Sequence, residues 1–418
     1  MQRAVVTSGT CAGAVVASAD RSAHDIGRAR LRRRRFRTGP RAFEANFSER
    51  GDVGASVAVY RDGVAVVDLC GGRVGPEPDA APYRPDALQL VFSTTKGATA
   101  LCAHMLVDRG LLDPAAPVSE YWPEFATHGK GDAPVEWLLT HKVGLPDIDR
   151  PMTRDDALRW DPAVEALAAS EPLWEPGTRR GYHAVTFGWL VGEIVRRVSG
   201  MGVGEFFRRE VAEPLGLDMW IGLPPELDHR VVPVIPLGPP PGLDFGASGP
   251  PPGGMIGMLE MLMGPGSIIG RALSAPGGAF ADQESWNLPE VWHAEVPSAN
   301  MIGNAASIAR MYAASIGEVD GVRLLSDGAL RDAIEVKATG PDSVLVFDIP
   351  FGSGFMRSSP LANMGSPGAF GHFGAGGSLG FADPDRGIAF GYAMNKMELG
   401  VSGDPRTVAL VEALDACE

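Results

Sequence analysis

Strand-like hydrophobic patterns lie at the two ends of the chain. Two β-rich runs fill residues 53–72 and are separated by Asp62-Gly63, a pair that favours a tight hairpin turn. Similar runs return at 350–358 and at 368–395, with a second turn signal inside the latter. These segments predict antiparallel strands that come from opposite ends of the sequence.

Helix-like patterns fill much of the remaining chain. An apolar stripe with helical spacing begins near Ser93 and ends at Gly110, and it consists of Ala98, Leu101, Cys102, Met105 and Leu106. Residues 111–230 carry mostly helical patterns broken by Pro and Gly, of which 184–200 is the clearest. Further helices are predicted at 41–51, 304–317 and 405–416.

This order of elements predicts an α/β protein of the α+β type. An antiparallel β-sheet would be flanked by the N- and C-terminal helices, with a helical lobe inserted. We expect residues 41–110 and 300–418 to form the sheet domain, and residues 111–299 to form the helical lobe. Within that lobe, the Pro-, Gly- and Met-rich segment 232–280 is either a mobile lid over an apolar pocket or an irregular surface loop.

The charge of the chain is unevenly distributed. The net charge is −14, but residues 1–50 hold eleven Arg and four acidic residues, which leaves −21 for the rest. An acidic body argues against nucleic acid as the main partner. The basic run 28–37 is predicted to belong to a poorly ordered arm, residues 1–40, with contact to phosphate as the alternative.

Cysteines, motifs and apolar runs narrow the possible cofactors and locations. The four Cys are widely and irregularly spaced, which favours neither a disulfide framework nor a zinc site. No H-E-x-x-H or phosphate-loop motif is present, so neither a metal nor a cofactor is expected.

No apolar run reaches the roughly 18 residues of a membrane span. Residues 11–19 make a poor signal sequence, so we expect a cytoplasmic protein without a membrane partner. The sequence predicts no oligomeric state.

Two serines match nucleophile motifs, and the first of them is Ser378. It lies in Gly-Gly-Ser-Leu-Gly (376–380), which has the G-x-S-x-G form of a nucleophile elbow. In that arrangement a helix follows the serine, and the catalytic histidine comes later in the chain. Here a hairpin follows, and the last histidine of the chain, His372, precedes Ser378. We therefore interpret this stretch as a glycine-rich strand turn.

The second serine is Ser93, three residues before Lys96. On a helix these side chains share a face, and the helix start favours negative charge and offers backbone N–H groups to an oxyanion. A buried lysine loses its proton more readily than an exposed one and can then accept the serine proton. The alternative is an ordinary helix cap, because serine often opens helices. On spacing alone, both interpretations stay open.

Resemblance to a known protein family favours the interpretation of Ser93 as a nucleophile over that of a helix cap. S-x-x-K is the nucleophile motif of β-lactamases and penicillin-binding proteins. The sequence resembles that superfamily over residues 41–415, which implies a β-lactamase/transpeptidase-like fold. It is most similar to the class C β-lactamase-like serine esterases, the family VIII carboxylesterases. The matching stretches follow the family's order: VFSTTKGATA (91–100), EWLLTHKVGLPD (136–147), PGTRRGYHAVTFGWLVGEIVRRVSG (176–200), EPLGLD (213–218) and GHFGAGGSLGFADPDRGIAFGYAMN (371–395).

The resemblance implies roles for several residues. Ser93 would be the acylated nucleophile, Lys96 its base, and Tyr182 a proton relay that is partly phenolate beside a lysine ammonium. The backbone N–H groups of Ser93 and Ala375 would form the oxyanion hole. The segment aligned with K-T-G, whose glycines allow close approach to the strand edge, would contact the substrate through His372, Gly374 and Gly376.

Departures from the family pattern favour an esterase. Ala184 replaces the Asn of Y-x-N, which binds the substrate amide in β-lactamases, and His372 replaces the Lys that holds a carboxylate. Hydrolysis of a small-molecule ester is therefore the predicted function. The alternatives are acyl transfer to an alcohol or amine, β-lactamase or D-alanyl-D-alanine peptidase activity, and a non-catalytic binding protein on the same fold.

Other candidate residues are interpreted as structural. Lys142 and Val143 interrupt the Thr-Ser of the family's L-L-T-H-T-S-G-L-P stretch, so we assign this stretch and His141 to packing. Packing and loop contacts are also the interpretation for Trp292, His293 and Asn300.

Overall fold

The computed structural model describes residues 4–6, 38–237, 264, 266–400 and 402–417. The strands are β1 (Ala4–Val6), β2 (Gly54–Arg61), β3 (Val64–Gly72), β4 (Gln89–Leu90), β5 (Met219–Trp220), β6 (Ile302–Gly303), β7 (Met356–Arg357), β8 (Phe370–Phe373), β9 (Leu379–Asp383) and β10 (Ile388–Met394). The α-helices are α1 (Thr38–Glu49), α2 (Thr95–Asp108), α3 (Val118–Tyr121), α4 (Val135–Leu139), α5 (Arg154–Leu158), α6 (Asp161–Ala169), α7 (Phe187–Ser199), α8 (Val203–Phe207), α9 (Glu213–Leu215), α10 (Ile268–Ser274), α11 (Pro289–His293), α12 (Ala305–Ile316), α13 (Asp327–Ile334) and α14 (Pro405–Asp415). Short 3₁₀ helices occupy Phe92–Thr94, Pro123–Ala126, Pro225–Arg230 and Gln283–Asn287, and a π-helical turn occupies Arg208–Ala212.

Seven strands form the main sheet, in the order β1-β3-β2-β10-β9-β8-β7. Neighbouring strands are antiparallel, except that β1 is parallel to β3. The N-terminal hairpin joins the C-terminal strands directly, because β10 pairs with β2 along the whole length of β10. The predicted fold class, an antiparallel sheet built from both ends of the chain and flanked by helices, is confirmed.

Tight turns connect the strands where the sequence predicts them. Asp62 (φ 49°) and Gly63 (φ 74°) both adopt left-handed backbone conformations between β2 and β3. A two-residue turn of this hand matches the twist of the strands it joins. Gly387 (φ 62°) has the same role between β9 and β10.

Helices cover both faces of the main sheet. α12 crosses one face so closely that a Cβ on Gly391 would lie 2.3 Å from the Ala305 carbonyl oxygen. On β2, Ser56 faces α12 and its hydroxyl accepts a hydrogen bond from the Ala305 N–H. The next residue, Val57, lies on the opposite face together with Leu410 of α14, and α1 packs against α14. Successive residues of β2 thus alternate between two buried faces.

Two parts of the chain depart from the predicted elements. The run 350–358 contributes only Met356–Arg357 to the sheet. Gly354 (φ 82°) turns the chain there, and its N–H donates to the Leu139 carbonyl instead of to a strand. A second, three-stranded sheet, β4-β6-β5, was not predicted, because strands of two residues leave no hydrophobic period in the sequence.

Some predictions fall outside the described residues. The segment 232–280, predicted as either a lid or a surface loop, lies mostly outside the described residues, because 238–263 and 265 are not described. Of the basic arm before α1, only Ala4–Val6 is described, as the strand that pairs with β3. No helix in the described part of the chain is both long enough and apolar enough to cross a membrane.

The start of α2 lies where the helical segment meets the sheet. This helix packs against α7 and also contacts β8. Every residue of α2 from Thr95 to Leu106 is buried, so the helix is enclosed by the protein on all sides. Side chains from α2, from the segment before α7 and from the end of β8 can therefore meet at one point.

Candidate active site

The turn that carries Ser93 is held from the side of the sheet. Residues Phe92–Thr94 form a single 3₁₀ turn that runs directly into α2. The buried hydroxyl of Ser378 donates to the Val91 carbonyl (2.7 Å) and lies 3.1 Å from the Thr94 hydroxyl. The N-cap of α2 is Thr94, so the capping interpretation does not apply to Ser93. Instead, Ser93 lines a cavity.

Lys96 is fully buried and has three hydrogen-bond partners. Its Nζ lies 3.0 Å from Ser93 Oγ, 2.6 Å from the Ala184 carbonyl oxygen and 3.0 Å from the Ser298 carbonyl oxygen. Burial lowers the pKa of Lys96 well below its ordinary value, because the ammonium group loses its hydration there. Burial therefore shifts the protonation equilibrium of Lys96 toward the neutral amine.

The two carbonyl groups determine how a neutral Lys96 is oriented. Carbonyl oxygens only accept hydrogen bonds, so the contacts to Ala184 and Ser298 use both N–H bonds of the amine. The nitrogen lone pair then faces the remaining partner, Ser93, whose O–H becomes the donor. In this arrangement Lys96 can act as the base for the Ser93 proton.

Tyr182 is the second side chain beside the Ser93 hydroxyl, after Lys96. The Tyr182 side chain is buried beside Ser93, whose hydroxyl acts to lower the pKa of the phenol, and Lys96 Nζ lies 4.9 Å from the centre of its ring. Its backbone N–H donates to Asp342 Oδ1 (3.0 Å), which anchors this segment. Burial raises the pKa of Tyr182 above its ordinary value. The predicted phenolate character is therefore wrong, because burial favours the neutral phenol.

Three buried histidines form the surroundings of Tyr182. The ring centres of His141 and His372 lie 5.0 and 6.0 Å from that of Tyr182, and His183 stacks on His141 at 5.5 Å. Burial lowers the pKa of His183 and of His372 to about 3, and it lowers the pKa of His141 well below the ordinary value. All three are neutral at pH 7, so His372 brings no positive charge to the position aligned with the lysine of K-T-G.

The hydrogen bonds of His372 define its tautomer. Nδ1 lies 2.6 Å from the Phe373 carbonyl oxygen, which can only accept, so Nδ1 carries the proton. Nε2 is then a bare acceptor, and it has no hydrogen-bond partner among the described residues. His372 thus lies beside Tyr182 as a neutral acceptor rather than as a cation.

Acid is expected to destabilise the protein through these histidines. A histidine that stays neutral when folded gains its proton only on unfolding as the pH falls below about 6.5, so each of the three costs about 2 kcal/mol of unfolding free energy at pH 5. Burial raises the pKa of the Asp52 carboxyl to about 6, which acts in the opposite direction because the folded state is protonated first. Together, these three histidines and Asp52 are expected to contribute a loss of about 4 kcal/mol between pH 7 and pH 5.

Urea unfolding at pH 7, 6 and 5 measures this loss. A His372→Gln variant provides the comparison, because it removes one titrating group and should reduce the loss between pH 7 and pH 5 by about 2 kcal/mol. An unfolding free energy that stays constant over this range would contradict the assignment of neutral histidines.

The two predicted oxyanion-hole residues line the same cavity, whereas the predicted glycines do not. Ser93 and Ala375 both belong to its described lining, and no backbone carbonyl of the described residues accepts a hydrogen bond from either N–H. A Cβ on Gly374 would lie 2.1 Å from Ser378 Oγ, and one on Gly376 would lie 2.8 Å from Met397 Cγ. Packing within the protein therefore accounts for the absence of a side chain at both glycines, and their contact with substrate stays a prediction.

Trp292, His293 and Asn300 make packing and loop contacts outside the described lining of the cavity. The Asn300 amide nitrogen donates to two backbone carbonyls. Trp292 Nε1 donates to the Trp286 carbonyl, and His293 Nε2 lies 2.9 Å from Asp228 Oδ1. Each of the three polar groups therefore has a partner within the protein.

Sequence reasoning missed the groups that orient Lys96 and Tyr182. Ser298 holds Lys96 through a backbone oxygen, and a backbone contact leaves no signal in residue type. Asp342 accepts hydrogen bonds from the N–H groups of Val344 and Leu345, which is a common turn pattern, but nothing local links it to Tyr182. No group of His, Cys, Asp and Glu within the described residues is arranged to hold a metal ion.

Comparisons with known proteins agree with one another. The profile of the family described as Beta-lactamase matches residues 42–415. Esterase/beta-lactamase LipL of Mycobacterium tuberculosis is 37% identical over 374 residues, which are 87% of this chain and 82% of that protein. The crystal structure of a family VIII carboxylesterase is 36% identical, with a TM-score of 0.79 and coverage of 92% of this chain and 98% of its own. A penicillin-binding protein homologue from Caulobacter crescentus is 37% identical, with a TM-score of 0.78 and coverage of 92% and 98%.

Proposed function

This chain belongs to the beta-lactamase family, and we propose that it is a serine hydrolase that cleaves carboxylic esters of small molecules through an acyl-enzyme on Ser93. The observation that carries the proposal is the contact between Ser93 and Lys96. There, a fully buried amine with a lowered pKa lies 3.0 Å from a hydroxyl that lines a cavity. The relatives named as an esterase and a carboxylesterase support ester as the substrate class.

Acylation would begin with transfer of the Ser93 proton to Lys96. The Ser93 oxygen then forms a bond to the ester carbonyl carbon, and the carbonyl oxygen becomes an oxyanion. The backbone N–H groups of Ser93 and Ala375, which line the same cavity, are the donors proposed for that oxyanion. Collapse of this intermediate breaks the bond to the alcohol oxygen and leaves the acyl group on Ser93.

Tyr182 would supply the proton for the departing alcohol. Because burial raises its pKa, the phenol is protonated and can donate, and the ammonium of Lys96 can restore the proton. Water then attacks the acyl carbon and loses a proton to Lys96. The bond between that carbon and Ser93 Oγ breaks, the Lys96 ammonium returns the proton to Ser93 Oγ, and the carboxylic acid leaves. These two half-reactions return Ser93, Lys96 and Tyr182 to their starting protonation states.

The cavity favours uncharged acyl groups over substrates that carry a carboxylate. No charged side chain occurs among the described residues that line it, and the sequence 238–263 contains no Lys or Arg. His372 is neutral at pH 7, because burial lowers its pKa to about 3. A carboxylate placed here would lose hydration without gaining a cation. This argues for esters over β-lactams and cell-wall peptides.

A panel of para-nitrophenyl esters compared with nitrocefin tests the proposal. We expect kcat/KM for the best ester to exceed that for nitrocefin by at least about 100-fold, because an uncompensated carboxylate costs several kcal/mol. Chain lengths from acetate to octanoate should be included, since the apolar lining favours burial of an alkyl group. Faster turnover of nitrocefin than of every ester would reverse the assignment, and turnover of neither would refute it.

A further inference from the structure

The described wall of the catalytic cavity contains one side-chain amide, that of Gln283. Its Oε1 is buried and has no hydrogen-bond partner among the described residues. Leaving a buried amide oxygen without a partner is unfavourable, so an amide in this position is suited to pairing with a group that enters the cavity. Apart from Ser93, the other described side chains of the wall are apolar and include Phe92, Val185, Leu273, Trp286 and Met397.

The turn that presents Gln283 is fixed relative to the nucleophile. Gln283 begins the 3₁₀ helix Gln283–Asn287, which also contains Trp286. The Trp286 ring stacks on Phe280 at 4.8 Å and meets the Phe92 ring edge-on at 5.6 Å. Phe92 directly precedes Ser93, so the same aromatic contacts hold the amide and the nucleophile in one frame. A fixed amide can select substrates, because it need not be ordered when the substrate binds.

We propose that Gln283 recognises a secondary amide in the acyl part of the substrate, and that esters of N-acylated amino acids are preferred over plain alkanoate esters. This inference rests on the proposed ester hydrolysis and specifies its substrate class. The oxygen of Gln283 accepts from an N–H, and its NH₂ group donates to a carbonyl. A –CO–NH– group beside the ester carbonyl offers both partners at once.

Gln283 supplies the cavity wall with a side-chain amide, which Ala184 cannot supply. Ala184 stands where the resembled motif has Asn, and its methyl group contributes only apolar surface to the cavity. Its carbonyl is occupied by Lys96. Apart from the nucleophile Ser93, Gln283 is therefore the one described lining residue whose side chain can both donate and accept a hydrogen bond toward an acyl amide.

Two esters with the same skeleton test the inference. The para-nitrophenyl esters of N-acetylglycine and of 4-methylpentanoic acid have the same length and branching, but only the first contains an amide. We expect Gln283→Met to lower kcat/KM about tenfold for the N-acetylglycine ester and less than about threefold for the 4-methylpentanoate. Comparing each ester between the two enzymes cancels the difference in their intrinsic reactivity.

Leu273→Met is the matched control, because it places the same new side chain in the same wall. It should change kcat/KM for both esters by one common factor. If Gln283→Met also changes both esters equally, or changes neither, Gln283 does not recognise the amide, although ester hydrolysis stands. A wild-type protein that hydrolyses neither ester, nor any other of the panel, would overturn the proposed function and this inference with it.

Discussion

Replacement of Lys96 with glutamine is expected to lower kcat for ester hydrolysis by a factor of about 10²–10⁴. The glutamine amide can still donate N–H groups to the carbonyls of Ala184 and Ser298, which hold Lys96 in the native protein. It cannot accept a proton, so the Ser93 hydroxyl loses its base. Single-turnover measurements with a para-nitrophenyl ester would place the loss in the acylation step.

The pH profile separates this role from a structural one. In the native protein, kcat/KM should fall as the pH drops through the pKa of Lys96, because a protonated amine cannot accept the Ser93 proton. Burial places that pKa well below 10.5. The acid limb due to Lys96 should disappear in Lys96→Gln, and its persistence in that variant would contradict the assignment.

Lys130 offers a matched control for the loss of a buried lysine. Its side chain is also buried, and its Nζ donates to the Ser170 carbonyl (2.6 Å), outside the described lining of the cavity. Lys130→Gln should therefore keep both the activity and the acid limb. If both glutamine variants lost activity to the same extent, the loss would reflect destabilisation rather than the missing base.

Local patterns explain which parts of the fold were predictable. The β2–β3 hairpin and the β9–β10 turn combine strand-like runs with turn residues, and each lies within one short, continuous segment of the sequence. The second sheet, β4-β6-β5, consists of strands of two residues from three distant segments, so no window of sequence contains its pattern. Residues 350–358 have a strand-like composition, but Gly354 turns the chain and only Met356–Arg357 pairs.

In the candidate site, too, contacts between nearby residues were predictable, whereas properties that depend on packing of the whole chain were not. Ser93 and Lys96 are three residues apart, so their contact follows from helical geometry. The protonation states of Lys96 and Tyr182 follow from burial, which depends on packing across the whole chain. The phenolate prediction failed for this reason, since it considered a nearby charge and left out the loss of hydration that favours the neutral phenol.

Ser378 matches a nucleophile motif, but its contacts are structural. Its G-x-S-x-G sequence resembles a nucleophile, but the residue lies fully buried in the turn between β8 and β9. Its hydroxyl donates to the Val91 carbonyl, two residues before Ser93. The glycines around it fit a crowded turn, because a Cβ on Gly374 would collide with the Ser378 hydroxyl. Its contacts indicate a structural role in positioning the turn that carries Ser93.

Replacement of Ser93 with alanine is expected to reduce ester hydrolysis by a factor of at least about 10⁴, because no acyl-enzyme can form without the nucleophile. The native protein treated with a fluorophosphonate should gain the mass of one adduct, and Ser93→Ala should gain none. The fold should persist, because the Ser93 hydroxyl caps no helix. Matching circular dichroism spectra and unfolding free energies of the two proteins would verify this.

Ser378→Ala distinguishes the two serines in the same assay. It removes the 2.7 Å hydrogen bond to Val91 and leaves the nucleophile in place, so the adduct should still form on Ser93. The looser turn should slow labelling by about tenfold, since small displacements of a reacting group are costly. If Ser93→Ala formed the adduct and Ser378→Ala did not, the nucleophile would be Ser378, and the assignment to Ser93 would be wrong. Labelling of both variants at the native rate would show that neither hydroxyl is the nucleophile.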